Sequence, residues 1–251
     1  MKNNTACIEE TGISRAWGKA FLKASETTGG KLIPLTVVIN INSDEPDLRL
    51  TPYLNASLTE HQEAEVETVA NTIFPFSLWN PNQSASNLFE RYERIMPRLH
   101  NPKLYRQNQH GLYFERLIDY HGVNQLDHVI STYQRQNRRR SALQAAIFDP
   151  EKDHTHQRQR GFPCMQQVAF VPLDQGELAI TGFYATQCLF EKAYGNYLGL
   201  YRLGCFMGKY MGLRCTRVCC IASTAKYSDG ISKISLTSLE ESVRNFLANS
   251  A

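Results

Sequence analysis

The sequence lacks the features of a secreted or membrane protein. Its first residues, MKNNTACIEETG, contain no apolar run of the kind found in signal peptides. The most hydrophobic later segment, residues 189–213, is interrupted by Lys192, Arg202 and Lys209. We therefore expect neither a signal peptide nor a membrane span, and we expect a cytoplasmic location.

A strong charge of one sign is also missing. The net charge is only +3, which does not favour a general nucleic-acid-binding protein. The basic residues are concentrated in one place, Arg135 and Arg138–Arg140. This local cluster favours a site for an anion.

The seven cysteines form no CxxC pair, and their number is odd. A disulfide framework or a zinc site would require a more regular pattern. Cys219 and Cys220 lie in TRVCCIAS, which has the pattern of a strand, so their side chains would point to opposite faces. We expect free thiols in a reduced environment and no bound metal.

Internal repeats, low-complexity blocks and linkers rich in proline or serine are absent. With 42% hydrophobic and 20% charged residues, the chain has the composition of an ordinary globular protein. Its 251 residues are enough for one substantial core, so we expect a single domain over residues 1–251.

Hydrophobic periodicity predicts helices and strands in both halves of the chain. Helical patterns cover residues 13–25, 59–73, 84–96, about 124–136 and about 190–212, and Thr237 with Glu240 forms the pattern of a capping box before a final helix. Strand patterns are KLIPLTVVININ, RSALQAAIFDP, MQQVAFVPLD, GELAITGFYAT and TRVCCIASTAKYS. A tight turn at residues 174–176 predicts one antiparallel hairpin. The mixture indicates the α+β class.

The long helix over about 190–212 contains Gly199, Gly204 and Gly208 on or near its apolar stripe. Glycine destabilises a helix, so its repeated use predicts that another backbone packs closely against this one.

Cys164 precedes a strand pattern and follows Arg160 and Pro163. A cysteine acts as a nucleophile when nearby positive charge lowers the pKa of its thiol. Arg160 and the cluster Arg138–Arg140 would do so if they lay close in space. The residues alone leave two interpretations open, a nucleophile and a buried inert thiol.

The order of several motifs resembles the thymidylate synthase family. The similar segments are RRRSALQAAIFDP, FPCMQQVAF, GELAITGFYAT, YGNYLGLYRL and MGLRCTRVCCIASTAKY. The resemblance is closest from Cys164 to Tyr227 and extends more weakly back to about residue 110. It implies a thymidylate-synthase-like mixed sheet with a long buried central helix, and a homodimer.

The resemblance also implies a chemistry. In it, the thiolate of Cys164 adds to C6 of a pyrimidine, which makes C5 nucleophilic toward a one-carbon unit from methylenetetrahydrofolate. Tyr113 matches a tyrosine near the thiol, and Asn196 matches an asparagine that hydrogen-bonds the pyrimidine edge. By position, the resemblance also assigns Arg139 and Arg140 to a phosphate of the partner's substrate and Thr186 and Lys226 to the substrate. It assigns Trp79 and Phe148, which replaces a family tryptophan, to folate.

Several positions depart from the family pattern. No carboxylate precedes LW in FPFSLWNP, where Pro75 and Phe76 stand in place of a glutamate. The family has an Arg-Ser-x-Asp motif after the hairpin, and the aligned residues of this sequence are Ala185, Thr186 and Cys188. The family also has a histidine and a tyrosine that bind the ribose, and Lys226 and Ser228 stand at their positions. We therefore expect a divergent enzyme that methylates or hydroxymethylates a pyrimidine nucleotide or related ring, rather than dTMP synthesis.

Three other interpretations remain open. The chain could be a catalytically inactive dimer that serves as a binding protein. It could bind RNA through Arg135–Arg140, although interleaved aromatic residues are missing there. It could also be a cysteine hydrolase, which would need His154 or His156 as a base near Cys164.

Overall fold

A computed structural model describes residues 4–43, 45–103, 111–135, 139–154, 156 and 164–249. Arg138, Arg160 and Pro163, which the sequence suggested as neighbours of the thiol or members of the anion cluster, lie outside these residues.

The described chain contains helices and strands in both halves. The helices are α1 (Ile13–Glu26), α2 (Thr51–Glu60), α3 (Val66–Ile73), α4 (Ala85–Leu99), α5 (Tyr113–Ile118), α6 (Gln125–Gln134), α7 (Pro150–Asp153), α8 (Tyr194–Met211) and α9 (Thr237–Ala248). The strands are β1 (Ala6–Thr11), β2 (Lys31–Leu32), β3 (Leu35–Asn40), β4 (Gln144–Ala146), β5 (Met165–Pro172), β6 (Glu177–Cys188) and β7 (Arg214–Lys226).

All seven strands belong to one mixed sheet. Its order is β1-β3-β7-β6-β5-β4, and β2 also pairs with β7. The pairs β1/β3 and β6/β7 are parallel, and the other pairs are antiparallel. The mixed α and β content and the predicted β5/β6 hairpin are thus confirmed.

The long helix α8 is the centre of the core, and most of its residues are buried. Its glycines allow close approach, as predicted. A Cβ added to Gly199 would lie 2.8 Å from the carbonyl oxygen of Ala70, and one on Gly208 would lie 2.6 Å from the carbonyl oxygen of Leu213. The first turn before α8, Leu189–Ala193, is a π-helix.

The alternation of buried and less buried residues is interrupted at one level in three neighbouring strands. In each of β5, β6 and β7, two successive residues that are not buried separate two buried residues. The breaks follow Met165, Tyr184 and Ala222, which are paired directly across the sheet. In β5 the break is a bulge between Met165 and Gln167. Such a bulge re-aims the side chains around it.

Helices pack on only one face of the sheet in the described part of the chain. The buried strand residues Val37, Cys220 and Ile180 belong to the helix side. The opposite face carries Phe183, 39% exposed, and Val171, 45% exposed. A sheet normally buries its apolar face against another layer, and the described residues leave this face open.

Several element boundaries differ from those predicted. The pattern over 59–73 is interrupted between α2 and α3, because residues 61–65 form a turn with Gln62 at φ 59°. Strand β1 was missed, because none of its residues is buried and its six residues show no apolar run. The predicted capping box is wrong. Thr237 is the first helical residue, and the carboxyl of Glu240 accepts hydrogen bonds from Ser25 and Tyr227 instead.

Among the described residues, no helix combines the length and the hydrophobicity needed to cross a membrane.

Replacing Gly199 by alanine tests the close packing of α8 on α3. The added methyl would lie 2.8 Å from the Ala70 carbonyl oxygen and 2.9 Å from Cβ of Ile73, so it cannot fit without displacement. We expect a loss of about 1–3 kcal/mol in the free energy of unfolding, measured by denaturant titration. Lys209→Ala, on an exposed position of the same helix, is the control. Equal stability of Gly199→Ala and the wild type would contradict this packing.

Candidate active site

Cys164 lies immediately before β5, and its backbone is held from two sides. Its carbonyl oxygen accepts a hydrogen bond from the backbone N–H of Ala185 at 3.0 Å. The hydroxyl oxygen of Tyr113 accepts the backbone N–H of Cys164 at 3.1 Å and that of Met165 at 3.4 Å. The sequence assigned Tyr113 to the neighbourhood of Cys164, and the fold places it there.

The Tyr113 hydroxyl keeps its proton. Burial raises the pKa of Tyr113, and the nearby Cys164 thiol raises it further. Because the two backbone N–H groups use its oxygen as acceptor, its O–H can still donate a hydrogen bond. This donor is available to a ligand at the thiol.

The charges around the thiol come from lysines rather than arginines. Burial raises the pKa of Cys164, while Lys226 and Lys192 lower it and Asp229 raises it. Burial outweighs the lysines, so the resting thiol is neutral. A thiol in this state needs further desolvated positive charge or a higher pH to become a nucleophile.

Lys226, Asp229 and Glu191 form a chain of contacts beside the thiol. The Nζ of Lys226 bonds Oδ1 of Asp229 at 3.1 Å. The backbone N–H of Asp229 donates to Oε1 of Glu191 at 2.7 Å. This contact ties the loop after β7 to the π turn before α8. Lys226 also pairs with Cys188 across the strands β7 and β6.

Glu191 was not predicted from the sequence. Its side chain is only 4% exposed, and Oε2 has no hydrogen-bond partner among the described residues. Burial raises the pKa of Glu191, against the lowering effect of the N–H group of Asp229. The available signal was an acidic residue directly after the apolar residues Leu189 and Phe190, since glutamate is rarely buried without a partner.

Asn196 lies in the first turn of α8 and is 4% exposed. Within the described chain, its side-chain amide makes no hydrogen bond. The next residue, Tyr197, contacts Gln187 near the end of β6, with 3.5 Å between its hydroxyl and Oε1. The turn that carries Asn196 therefore packs at the end of β6, close to the Ala185–Cys188 segment that borders Cys164. A buried amide without a partner can bind a ligand by both donor and acceptor.

Three other residues of β6 belong to this neighbourhood. The hydroxyl of Tyr184 is fully buried and unpartnered in the described structure. Burial raises the pKa of Cys188 to about 12, and Glu191 is the next cause. Thr186, a predicted substrate contact, follows Ala185 and is paired with Thr224 on β7. Thr186 is therefore next to Ala185, whose backbone N–H donates to the Cys164 carbonyl oxygen.

Arg139 and Arg140 lie far from the thiol along the sheet. Both are exposed, and Arg140 begins a short turn before β4. Strand β4 is antiparallel to β5, and Phe170 near the far end of β5 bonds the carbonyl of Leu143. At about 3.3 Å per residue, that end is about 20 Å from Cys164. At this distance these arginines do not lower the pKa of the Cys164 thiol.

The two predicted folate contacts are engaged in packing. The ring of Phe148 lies 5.0 Å from that of His154. Trp79 contacts Phe206 at 5.9 Å, and Phe206 is about 15 Å along α8 from Asn196. At the position where the resemblance expects a glutamate, Phe76 holds the guanidinium of Arg202 over its ring at 4.5 Å.

One cluster of potential metal ligands occurs in the described residues: His121, Asp149 and Glu151. Asp149 Oδ2 lies 3.0 Å from Nε2 of His121 and 3.5 Å from Nζ of Lys152. The cluster therefore already contains a cation from its own chain, and we assign no metal to it.

A surface pocket of about 290 Å³ lies next to the site. Its lining residues are Gly29, Gly30, Lys31, Lys226, Tyr227, Ser228, Gly230 and Ile231. Cys164 does not line this pocket. Lys226 is the residue that the pocket and the surroundings of the thiol share.

No protein-family model matches this sequence, and no curated protein matches it. Its relation to thymidylate synthases therefore remains an interpretation of the quoted motifs.

Replacing Lys226 by methionine tests its effect on the thiol. Because the positive charge lowers the pKa of Cys164, its removal should raise that pKa further. We expect slower alkylation of Cys164 by iodoacetamide near neutral pH and a rate that rises only at higher pH. Peptide mass spectrometry gives the rate at this cysteine alone.

Lys209→Met, which removes a lysine from the exposed far end of α8, is the matched control. A pH profile of Cys164 alkylation unchanged by Lys226→Met would show that this lysine does not act on the thiol.

Proposed function

We propose that the chain is a divergent thymidylate-synthase-like enzyme that uses Cys164 to activate C5 of a pyrimidine nucleotide or related ring for one-carbon transfer. The observation that carries the proposal is the grouping of a fixed cysteine, an unpartnered buried amide and nearby lysines. Cys164 is anchored by Tyr113, Asn196 has a free amide, and Lys226 acts on the thiol.

The chemistry requires each of these groups. A thiolate adds to C6 because the C5=C6 bond is conjugated to the C4 carbonyl, and the addition makes C5 a nucleophile. Asn196 can accept from N3–H and donate to O4 of a uracil edge. Lys226 stabilises the thiolate before addition and can bind an anionic or hydroxyl group of the substrate.

Authentic dTMP synthesis is not the proposed reaction. The residues at the family's phosphate and ribose positions are Ala185, Lys226 and Ser228, which favour a different nucleotide or nucleoside. Methylation and hydroxymethylation both follow from the same C5 nucleophile. Both remain within the proposal.

Methylenetetrahydrofolate is the one-carbon donor that the resemblance suggests. The described residues do not support a stacking site for it, because Phe148 and Trp79 are packed against their own chain. We therefore assign no step to folate.

The nucleophile is tested by Cys164→Ser in a tritium-release assay with [5-³H]-labelled uridine and cytidine nucleotides. Serine is nearly isosteric, but its hydroxyl is a much weaker nucleophile at neutral pH, so release should fall to background while the thermal unfolding curve stays unchanged. Release by the variant at the wild-type rate would remove Cys164 from the mechanism. Assays with and without methylenetetrahydrofolate separate transfer from exchange.

The second candidate function is a catalytically inactive binding protein. The observation that favours it is the burial that raises the pKa of Cys164. Under this alternative, nucleotides bind but no tritium is released from any of them by the wild type.

We also propose a homodimer in which the open sheet faces of two subunits pack together. Phe183 and Val171 are the exposed apolar residues on this face, and Ile221 lies beside Phe183 in the pairing of β6 with β7. Sheets that pack face to face bury such side chains between them. A second subunit is also the means by which Arg139 and Arg140 could reach a substrate.

Phe183→Asp should convert the dimer to a monomer, because it places a charge in the centre of the apolar face. Analytical ultracentrifugation measures the change. Val123→Asp, at a loop valine that is 52% exposed, is the matched control and should leave the dimer intact. A dimer that persists in Phe183→Asp, or a monomeric wild type, would contradict this interface.

A further inference from the structure

Cys205 and Cys215 meet where the second half of α8 packs on the start of β7. Both are free thiols. The side chain of Cys215 reaches the helix backbone, since a Cβ added to Gly204, the residue before Cys205, would lie 2.4 Å from Sγ of Cys215. The two thiols hydrogen-bond each other. Such a contact is the arrangement from which a disulfide can form, because the Cβ atoms of a disulfide lie only about 3.5–4.5 Å apart.

A bulge in β7 directs the side chain of Cys215 toward the helix. Leu178 of β6 pairs with Cys215, whereas the next residue of β6 pairs with Arg217. Thr216 is therefore an extra residue in β7, and Cys215 and Thr216 are both buried in succession. A bulge re-aims the side chains around it. The position of Cys215 against α8 is thus built into the strand.

The short connection from α8 to β7 keeps the two cysteines together. Gly212 ends the helix at φ 69°, and the N–H of Leu213 donates to the carbonyl oxygen of Gly208 at 2.8 Å. A Cβ added to Gly208 would lie 3.5 Å from the backbone nitrogen of Cys215. Cys215 is therefore held beside the helix by contacts close in sequence, and its thiol stays within reach of Cys205.

The two thiols differ in accessibility and in acidity. Cys205 is partly exposed, and its hydrogen bonds with Cys215 and Tyr201 lower its pKa against the effect of burial. Cys215 is only 5% exposed, and its hydrogen bond with Cys205, together with burial, raises its pKa. Cysteines that react with oxidants are partly exposed thiolates, often beside a second thiol that completes a disulfide. Cys205 fits the first role and Cys215 the second.

We propose that Cys205 and Cys215 form a reversible oxidation site, at which hydrogen peroxide oxidises Cys205 and the two sulfurs then join in a disulfide. The proposal does not depend on the function proposed above, because Cys205 is about 14 Å along α8 from Asn196. The alternative is a pair of core thiols that pack as small apolar side chains and do not react.

The reaction balances with peroxide as the oxidant. The thiolate sulfur of Cys205 attacks one oxygen of the peroxide, the O–O bond breaks, and hydroxide leaves, so Cys205 becomes a sulfenic acid. The hydroxide takes the proton of Cys215 and becomes water. The sulfur of Cys215 then attacks that of Cys205 and expels a second hydroxide, which takes the proton that Cys205 released on ionisation. Two thiols lose two electrons and two protons, and peroxide becomes two waters. A dithiol reductant reverses the change by exchange.

The disulfide is tested by peptide mapping of the full chain. Reduced protein is treated with stoichiometric hydrogen peroxide, its remaining thiols are alkylated, and it is digested with trypsin without reductant. Cleavage after Arg202, Lys209, Arg214 and Arg217 places the two cysteines in separate peptides, 203–209 and 215–217. We expect these two peptides joined by a disulfide, an equal loss of both alkylated peptides, and their recovery after dithiothreitol.

Two variants separate the roles of the thiols. Cys215→Ala leaves Cys205 without its partner, so Cys205 should accumulate as a sulfenic acid that dimedone labels. Cys205→Ala should leave Cys215 unoxidised, because that thiol is buried and keeps its proton. Circular dichroism confirms that each variant is folded, and the wild-type peptide map tests the disulfide without any variant.

Cys7→Ser is the matched control, because Cys7 is an exposed cysteine on β1. It should form the same disulfide as the wild type. Absence of the joined peptides from oxidised wild type, their formation only in denaturant, or a disulfide of Cys205 with another cysteine would overturn the proposal. Dimedone labelling of Cys215 in Cys205→Ala would contradict the assigned roles.

Discussion

The aligned interruption of the burial pattern in β5, β6 and β7 is the constraint on which the rest of the site depends. It occurs at the paired residues Met165, Tyr184 and Ala222 and includes the bulge in β5. With regular alternation, every second residue would stay buried against the helices up to the ends of the strands. The break instead re-aims the last residues of β6 and β7 and the first residue before β5. Cys164, the end of β6 and Lys226 thereby come to one edge of the sheet, where α8 begins.

This edge combines burial with only a few charges. Burial raises the pKa of the Cys164 thiol and that of the Glu191 carboxyl, and each group has a hydrogen-bonded or charged neighbour that lowers its pKa. Pairs of groups whose surroundings shift their pKa values are typical of acid–base sites. Asp229, which pairs with Lys226, also donates its backbone N–H to Glu191. This hydrogen bond links the loop after β7 to the π turn. The binding of a ring there would displace water and strengthen each interaction.

The sequence was sufficient for the α8 helix, its close packing and the β5/β6 hairpin, because glycine spacing, apolar periodicity and turn residues are local signals. It also placed Tyr113 beside Cys164, through the resemblance. It could not reveal the break across three strands, since that depends on pairing between distant segments. For the same reason it assigned the charge near the thiol to arginines. Lys226 and Lys192 are brought to Cys164 only by the β6/β7 pairing and the π turn.

The most direct measurement is the ¹³C NMR spectrum of [6-¹³C]-labelled uridine and cytidine monophosphates mixed with stoichiometric protein. Addition of sulfur converts C6 from a trigonal to a tetrahedral carbon, which moves its resonance far upfield. We predict such a resonance with the wild type and its absence with Cys164→Ser. If every nucleotide that binds shows only the trigonal C6 resonance, Cys164 does not form a bond to a pyrimidine, and the central claim is wrong.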